Sequence, residues 1–496
     1  MKTWCKLVWL LPLLGLLLFA AGCNRTPDYD PIFIPPPAEG LELVTPTPAP
    51  AVGQPVQPVS RGIDTTHAVR FFEGLNTVFD RDGGALWGVP LHFPLIVWDP
   101  DSGQAMANRK DPLGIFEPYG AIFRGYLPAV MVSNDWPRMV NFGDEQWMVQ
   151  HYFNALQDAG NSNSVRRWMT REGFVWHQPA IMGAPGPPQQ APALDVSHLQ
   201  QRDARVSVRL EIEALVYALR TSSPTARRRA VEDALSIREA RRTQFYPHGI
   251  DENRAEIWRG MPLYTEELLN VPAGGVAAMA IPQGPINNMA GRVQVPHGQA
   301  LRGNLESQAF MITGTLWGML LDTLDFPWQR SVHSDIDLAF MAAANMNITT
   351  TRPLSEVDLT RFNYAQISMD EQNWANQVAA MTHDILTGLV NYPTVFFYPD
   401  DFVGGTFMAQ AAPITLPDIG QVQSGPSRFF GSFGEVDLRS GARLLVAGTP
   451  TPIRLVSLGL VTIAGNTVTG SHWTLQLNEG YMIIPYYGNY RVVPRY

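Results

Sequence analysis

Asp144, Glu145 and His151 stand close together in the chain, carboxylates and an imidazole of the kind that perform general acid–base catalysis. Glu145 and His151 are six positions apart, so on a helix they would not share a face. Farther along, Glu211, Glu256 and Tyr264 are candidate cleft residues, and His151 with Glu211 or Glu256 is the pair that a hydrolase lacking a familiar motif would use. His177, His198, His248 and His297 fall in segments read as loops, where a surface or structural role is expected. His383 and Asp384 are neighbours on a helical segment and so point apart. There is no G-x-S-x-G, Walker or dinucleotide loop, and Gly274-Gly275 reads as a turn without phosphate-loop surroundings.

The elements that must position these residues change character along the chain. Residues 85–134 carry short apolar runs broken by turn residues, such as 93–98 and 129–132, which read as strands. Pro94 has to sit at the start of its strand or on an edge. Helical periodicity then takes over. Residues 146–157 place Trp147, Met148, Tyr152, Phe153 and Leu156 on one broad face, and 206–219 do the same with Leu210, Ala214, Leu215 and Ala218. Ser223-Pro224 starts a charged helix reaching to about 242, since serine caps and proline suits a first turn. Further helices are expected at 252–269, 308–321, 335–345 and 370–389. Beyond about 394 the pattern becomes alternation and turns. Strands are expected at 443–446, 453–460, 473–477 and 490–493, with turns at Gly465-Asn466 and Gly480. The expected fold class is α+β: a strand-rich N-terminal part, a helical core and a small C-terminal β domain. The expected divisions are 1–22, 23–64, a body over 65–425, and the β domain over 426–496.

The N-terminus reads as an address. Lys2 and Lys6 precede an apolar run over 7–21, too short for the ~20 residues that span a bilayer as a helix. Phe19-Ala20-Ala21-Gly22-Cys23 resembles a bacterial lipobox, although Ala20 stands where leucine is more usual. Cleavage before Cys23 and lipid attachment to it are expected, each buried CH₂ contributing ~0.8 kcal/mol of anchoring. The only other cysteine, Cys5, lies in the part removed, so the mature chain would hold no disulfide. An ordinary signal peptide with an incidental cysteine is the alternative. Residues 24–60 are rich in Pro, Thr, Ala and Val and read as an extended tether reaching up to ~110 Å at ~3.1 Å per residue. It is either a spacer crossing a wall or surface layer or a linker of no specific length. The run at 310–321 is too short to span a membrane and is followed by Asp322 and Asp325, so it reads as a core helix. Net charge is −9 and nearly all basic residues are arginine, a balance that argues against nucleic acid as a partner.

Four segments follow one another in a suggestive order. They are Gln150-His151-Tyr152-Phe153-Asn154-Ala155-Leu156-Gln157, Leu210-Glu211-Ile212-Glu213-Ala214-Leu215, Arg238-Glu239-Ala240-Arg241-Arg242, and Arg259-Gly260-Met261-Pro262-Leu263-Tyr264-Thr265-Glu266. Their order resembles a group of bacterial gluzincin-like proteins, over about residues 120–330. In such proteins an HExxH helix holds a zinc ion with two imidazoles one turn apart, and a glutamate from a later helix completes the site. The resemblance implies a zincin-like core in which Gln150 and Asn154 occupy the histidine positions, His151 the glutamate position, Arg259 the third-ligand position and Leu263 that of a second glutamate. Amides are poor zinc ligands, and a guanidinium repels a divalent cation. It therefore implies neither metal nor other cofactor. The expectation is a catalytically inactive metallopeptidase-like lipoprotein, anchored outside the cytoplasm of a bacterium, that binds a protein, peptide or glycan. The alternatives are an amphipathic core helix at 150–157 with no such history, an active hydrolase with an unrecognised site, and a solute-binding lipoprotein.

Overall fold

Asp64 opens the first described helix of the computed structural model. Its carboxylate accepts from the backbone N–H groups of Thr66 and His67, which a helix start otherwise leaves unpaired, and Gly83 closes the helix in the left-handed region at φ 54°. This helix, α1 (Thr65–Asp82), buries Phe71, Phe72, Leu75, Val78 and Phe79 along one face. The structure describes residues 62–495, apart from 100–101, 128–137, 153–161, 184–193, 246–248, 272–282, 294–304, 325, 398–404, 410–413, 417–419, 425–426, 440–442 and 447–452. The expected leader, Cys23 and nearly all of the tether lie outside the described residues, as do 129–132, Asn154, His248, Gly274-Gly275 and His297.

A sheet follows, built from β1 (Leu95–Trp98), β2 (Gln104–Ala107), β3 (Glu117–Tyr119), β4 (Ile122–Tyr126), β5 (Arg138–Phe142) and β6 (Glu145–His151), in the order β3-β4-β2-β1-β6-β5. Among the described strands of this sheet only the β1–β6 pair is parallel. Pro94 stands just before β1, as its missing N–H requires, and its carbonyl accepts from Met148 N–H. Strand alternation sends Leu95, Val97 and Met148 into the main core shared with the helices, and Ile96, Trp98, Trp147 and Val149 into a second core on the other face. Every residue of β1 is buried, which explains its uninterrupted apolar run.

The structure corrects the first half of the helix expected at 146–157: residues 145–151 are a strand, and 153–157 lie outside the described residues. Phe142 pairs directly with Glu145, so Gly143-Asp144 is a two-residue hairpin loop, and Gly143 adopts φ 62°. Glycine first in such a loop is itself a hairpin signal, and it outweighs the helical spacing of the apolar residues that follow.

The helical body comprises α2 (Ser162–Ile181), α3 (Arg202–Arg220), α4 (Pro224–Gln244), α5 (Gly249–Ala255), a π-helical turn (Glu256–Gly260), α6 (Met261–Leu269), α7 (Gln283–Val293), α8 (Leu305–Leu321), α9 (Leu338–Asn345) and α10 (Tyr364–Asn391). Ser223 caps α4 through Ala226 N–H with Pro224 in the first turn, as the sequence indicates. Asp337 caps α9 through Phe340 N–H. Among the described residues no helix is long and apolar enough to cross a membrane. One close crossing is glycine on glycine: a Cβ on Gly260 would lie 2.9 Å from Gly314 Cα, and one on Gly314 would lie 2.5 Å from Glu256 O. α8 thereby rests directly on the backbone of the π turn.

The remaining strands form two sheets. One runs β18 (Tyr481–Tyr486), β19 (Asn489–Pro494), β7 (Val395–Phe397), β14 (Ile453–Val456), β13 (Arg443–Val446), β10 (Gly420–Ser424) and β9 (Ile414–Leu416). The other runs β15 (Thr462–Ala464), β16 (Thr467–Thr469), β17 (Trp473–Leu477), β12 (Gly434–Leu438), β11 (Ser427–Gly431) and β8 (Gly405–Ala409). Val395, Phe397, Leu455 and Val492 of the first share one core with Val436, Leu438, Trp473 and Leu475 of the second, a sandwich arrangement. The division expected at 426 falls between β10 and β11, and both sheets take strands from before it. The α+β class stands, with strands, then helices, then strands. Replacing Gly314 by alanine should lower the denaturant midpoint, at a cost of at least ~1–3 kcal/mol from overpacking, because backbone rather than a yielding side chain opposes the added methyl group.

Candidate functional site

α4 carries an unusual buried face. Alongside Ala230, Val231 and Ala234 it buries Arg238 and Arg241, three apart and so on one side of the helix. Glu211 meets them from α3: its Oε1 accepts from Arg238 at 2.9 Å and its Oε2 from Arg241 at 2.7 Å. Glu256, on the π turn, accepts from both terminal nitrogens of Arg238 at 2.7 Å, a bidentate fork. Glu252, one turn earlier on α5, accepts from Arg241 at 2.9 and 3.0 Å, from Arg242 at 2.9 Å, and pairs with His198 Nε2 at 2.9 Å. α8 adds two donors: Trp317 Nε1 to Glu211 at 3.0 Å and Thr313 Oγ1 to Glu256 at 2.6 Å. Asp337 extends the network, accepting from Arg242 at 2.7 Å and lying 3.7 Å from Arg238. Glu211, Glu256 and Arg241 have no exposed surface at all.

Electrostatics follow from that enclosure. Burial pushes the Glu211 and Glu252 carboxyls upward, but Arg241 and its neighbours outweigh it and hold both below the ordinary carboxylate range. Burial likewise opposes charge on Arg238 and Arg241, yet the surrounding carboxylates raise both guanidiniums. At Glu256 burial prevails over Arg238, and the nearby Glu211 charge adds to the upward push. Asp337, lifted by burial, is brought down to about 2 by Arg238 and Arg242. The carboxylates Glu211, Glu252, Glu256 and Asp337 outnumber the guanidiniums of Arg238, Arg241 and Arg242.

The network forms the floor of a cavity of about 450 Å³ between α4 and α9. Arg238, Arg242 and Asp337 line its inner end, Leu235, Ala343 and Ile348 its walls, and Glu239 and Phe340 stand exposed, Phe340 at 73 %.

The expected site residues separate. Gln150 is buried on β6 on the same side as Met148, opposite Val97, and His151 is the last residue of that strand. The one-turn spacing that would aim positions 150 and 154 at a common ion is therefore not present at Gln150. Arg259 is half-buried on the π turn, where burial lowers its pKa. Glu211 and Glu256 come together, but around Arg238 rather than on an open cleft. Tyr264 belongs to a different cluster. Its hydroxyl donates to Asp322, which also accepts from Trp328 Nε1 at 2.9 Å and Gln329 Nε2 at 3.0 Å. His177 lies on α2 rather than in a loop, and its Nε2 meets the His92 carbonyl at 2.8 Å. His198 is buried in a 3-10 turn, Ser197–Gln200. His383 is exposed on α10. Sequence reasoning named His198 without its partner Glu252, and it missed Thr313, Trp317 and Asp337. Only Asp337, a capping residue before an apolar run, carried a local signal. Among the described residues no group of three or more His, Cys, Asp or Glu is arranged to hold a metal ion.

Two consequences can be measured. Arg241→Met should destabilise the chain by ~3–5 kcal/mol in denaturant titration, because it strands Glu211 and Glu252 without their shared cation. Stability should also peak at mildly acidic pH. Burial raises Glu172 from 4.5 to about 7 and Asp322 from 3.8 to about 6, so the folded state holds these protons more tightly, and their contribution is lost as pH rises through 6 and 7. Asp337 is depressed, so its contribution, full above 3.8, is lost as pH falls toward 2. Glu172→Gln should flatten the alkaline side of the profile and leave the acid side in place. Compared with protein-family models, curated proteins and solved structures, the chain shows no match.

Proposed function

We propose that this chain is a non-catalytic binding protein, held at an extracytoplasmic membrane surface through lipid on Cys23, and that a peptide enters the cavity between α4 and α9. The observation that carries the proposal is the state of the carboxylates. A general base needs a carboxylate free to accept a proton from water, whereas Glu211 and Glu256 are fully enclosed and engaged by arginine. A hydrolase pairing His151 with either of them therefore finds both already committed to ion pairs. In this reading the gluzincin-like likeness is confined to the helices from α3 to α6, and Arg259 in the third-ligand position is one sign of an abandoned metal site.

The cavity favours a ligand of a particular kind. Its walls are largely apolar, and of its charged lining residues Arg238 and Arg242 are already engaged by Asp337 and the buried glutamates, which leaves the exposed Glu239 as the charge it offers most openly. A peptide pairing a basic side chain with an apolar one matches both features. Fluorescence anisotropy with a labelled Lys-Phe-Lys-Leu peptide should show saturable binding to the full chain. Phe340→Ala and Glu239→Gln should each weaken it roughly tenfold, the effect of losing ~1–2 kcal/mol. The Glu-Phe-Glu-Leu peptide should bind more weakly than either. Cleavage of the peptide, or one tightly bound zinc per purified chain in metal analysis, would overturn the reading.

A further inference from the structure

A second cavity, about 660 Å³ and open to solvent, lies where the β5–β6 hairpin and the approach to β1 meet α2. Its chemistry differs from that of the first. Trp176, half-buried on α2, lines it while stacking on Phe93 with ring centroids 5.9 Å apart and an interplanar angle of 25°. Arg109 is held in place by an ion pair with Glu145 and lies over the Trp147 ring, 5.4 Å from its centroid. Asn141 and Asp144 stand exposed at the hairpin. His92 is fixed by Asp80, its Nε2 lying 3.0 Å from Oδ1.

We propose that this cavity is a saccharide-binding subsite that takes a neutral oligosaccharide. The inference does not rest on the peptide reading of the α4–α9 cavity. An indole presents a flat, electron-rich face, which attracts the C–H bonds on the apolar side of a pyranose ring. Around it stand an amide, carboxylates, a guanidinium and an imidazole. Each is planar and offers two or more donor or acceptor sites, the geometry that pairs with adjacent hydroxyls. Arg109 and Glu145 cancel each other's charge, which disfavours an ionic ligand and leaves orientation to hydrogen bonds. The aromatic and the guanidinium are already held by Phe93, Trp147 and Glu145, so little ordering is left for binding to impose. The cavity is open rather than enclosed, so a chain of sugar units can run through it.

The test is isothermal titration of the full chain with the β-1,4-linked tetrasaccharides of glucose, xylose, mannose and N-acetylglucosamine. At least one should bind, and Trp176→Ala should weaken that binding roughly tenfold or more. Asp144→Ala, at an exposed turn where it carries no core, should weaken it several-fold without altering the circular dichroism spectrum. Trp176→Phe should restore part of what Trp176→Ala loses, which separates loss of the platform from loss of the fold. Phe340→Ala should leave sugar binding unchanged, so this site and the peptide cavity fail or succeed separately. The proposal is overturned if no tetrasaccharide binds, or if binding is equal in the unaltered chain, Trp176→Ala and Asp144→Ala.

Discussion

Three guanidiniums and three glutamates cannot be taken out of water singly. The effective penalty is several kcal/mol per ion, and only close mutual pairing offsets it. In this protein Arg238, Arg241 and Arg242 of α4 meet Glu211 of α3 and Glu252 and Glu256 of α5 and its π turn at 2.7–2.9 Å. α3, α4 and α5 with its π turn must therefore settle together. A slip of one helical turn at any of them would leave a charge buried and alone. α8 is drawn into the same arrangement by Trp317 and Thr313, and α9 by its capping residue Asp337. The network specifies how these helices fit, and apolar packing around it supplies the bulk of the driving force.

The π turn is the backbone counterpart of that constraint. A π segment inserts extra backbone into an α-helical run and often marks a functional or strained position. Here it carries Glu256 to Arg238 while Gly260 lets α8 approach at Gly314. Two features that look unrelated along the chain, a pair of glycines and a glutamate, thus serve one contact. α10 then links the helical body to the β region. Its Glu371 and Asp370 bind Arg205 and Arg209 of α3, and Ile385 packs with Val422, Leu445 and Val456 of the sandwich.

The two cavities inherit different chemistry from their settings. The one between α4 and α9 borrows Arg238, Arg242 and Asp337 from a network that is structural first, so these polar groups are fixed in advance between apolar walls. The one beside the β5–β6 hairpin is lined by planar polar side chains around an indole on the sheet and on α2. Neither depends on the set Gln150, His151 and Arg259. Gln150 lies on a strand that ends at His151, not on the helix that the motif order implies.

The sequence by itself determined the elements whose signals are local. Ser223-Pro224 announced α4, the apolar period announced α3 and α8, and alternation with Gly465 and Gly480 announced the late strands, since capping, period and turn geometry act within a few residues. Gly143-Asp144 was equally local, and it decides for a strand over 145–151, where the spacing of the apolar residues suggested a helix. α2 was hidden because Gly173 and Pro179 interrupt it, and burial of Met169 and Phe174 in the shared core holds it regardless. Glu211, Glu256 and Arg238 were visible as residues but not as partners. Which carboxylate neutralises which guanidinium depends on how the helices pack and on the low dielectric they create together, and only the tertiary structure decides that.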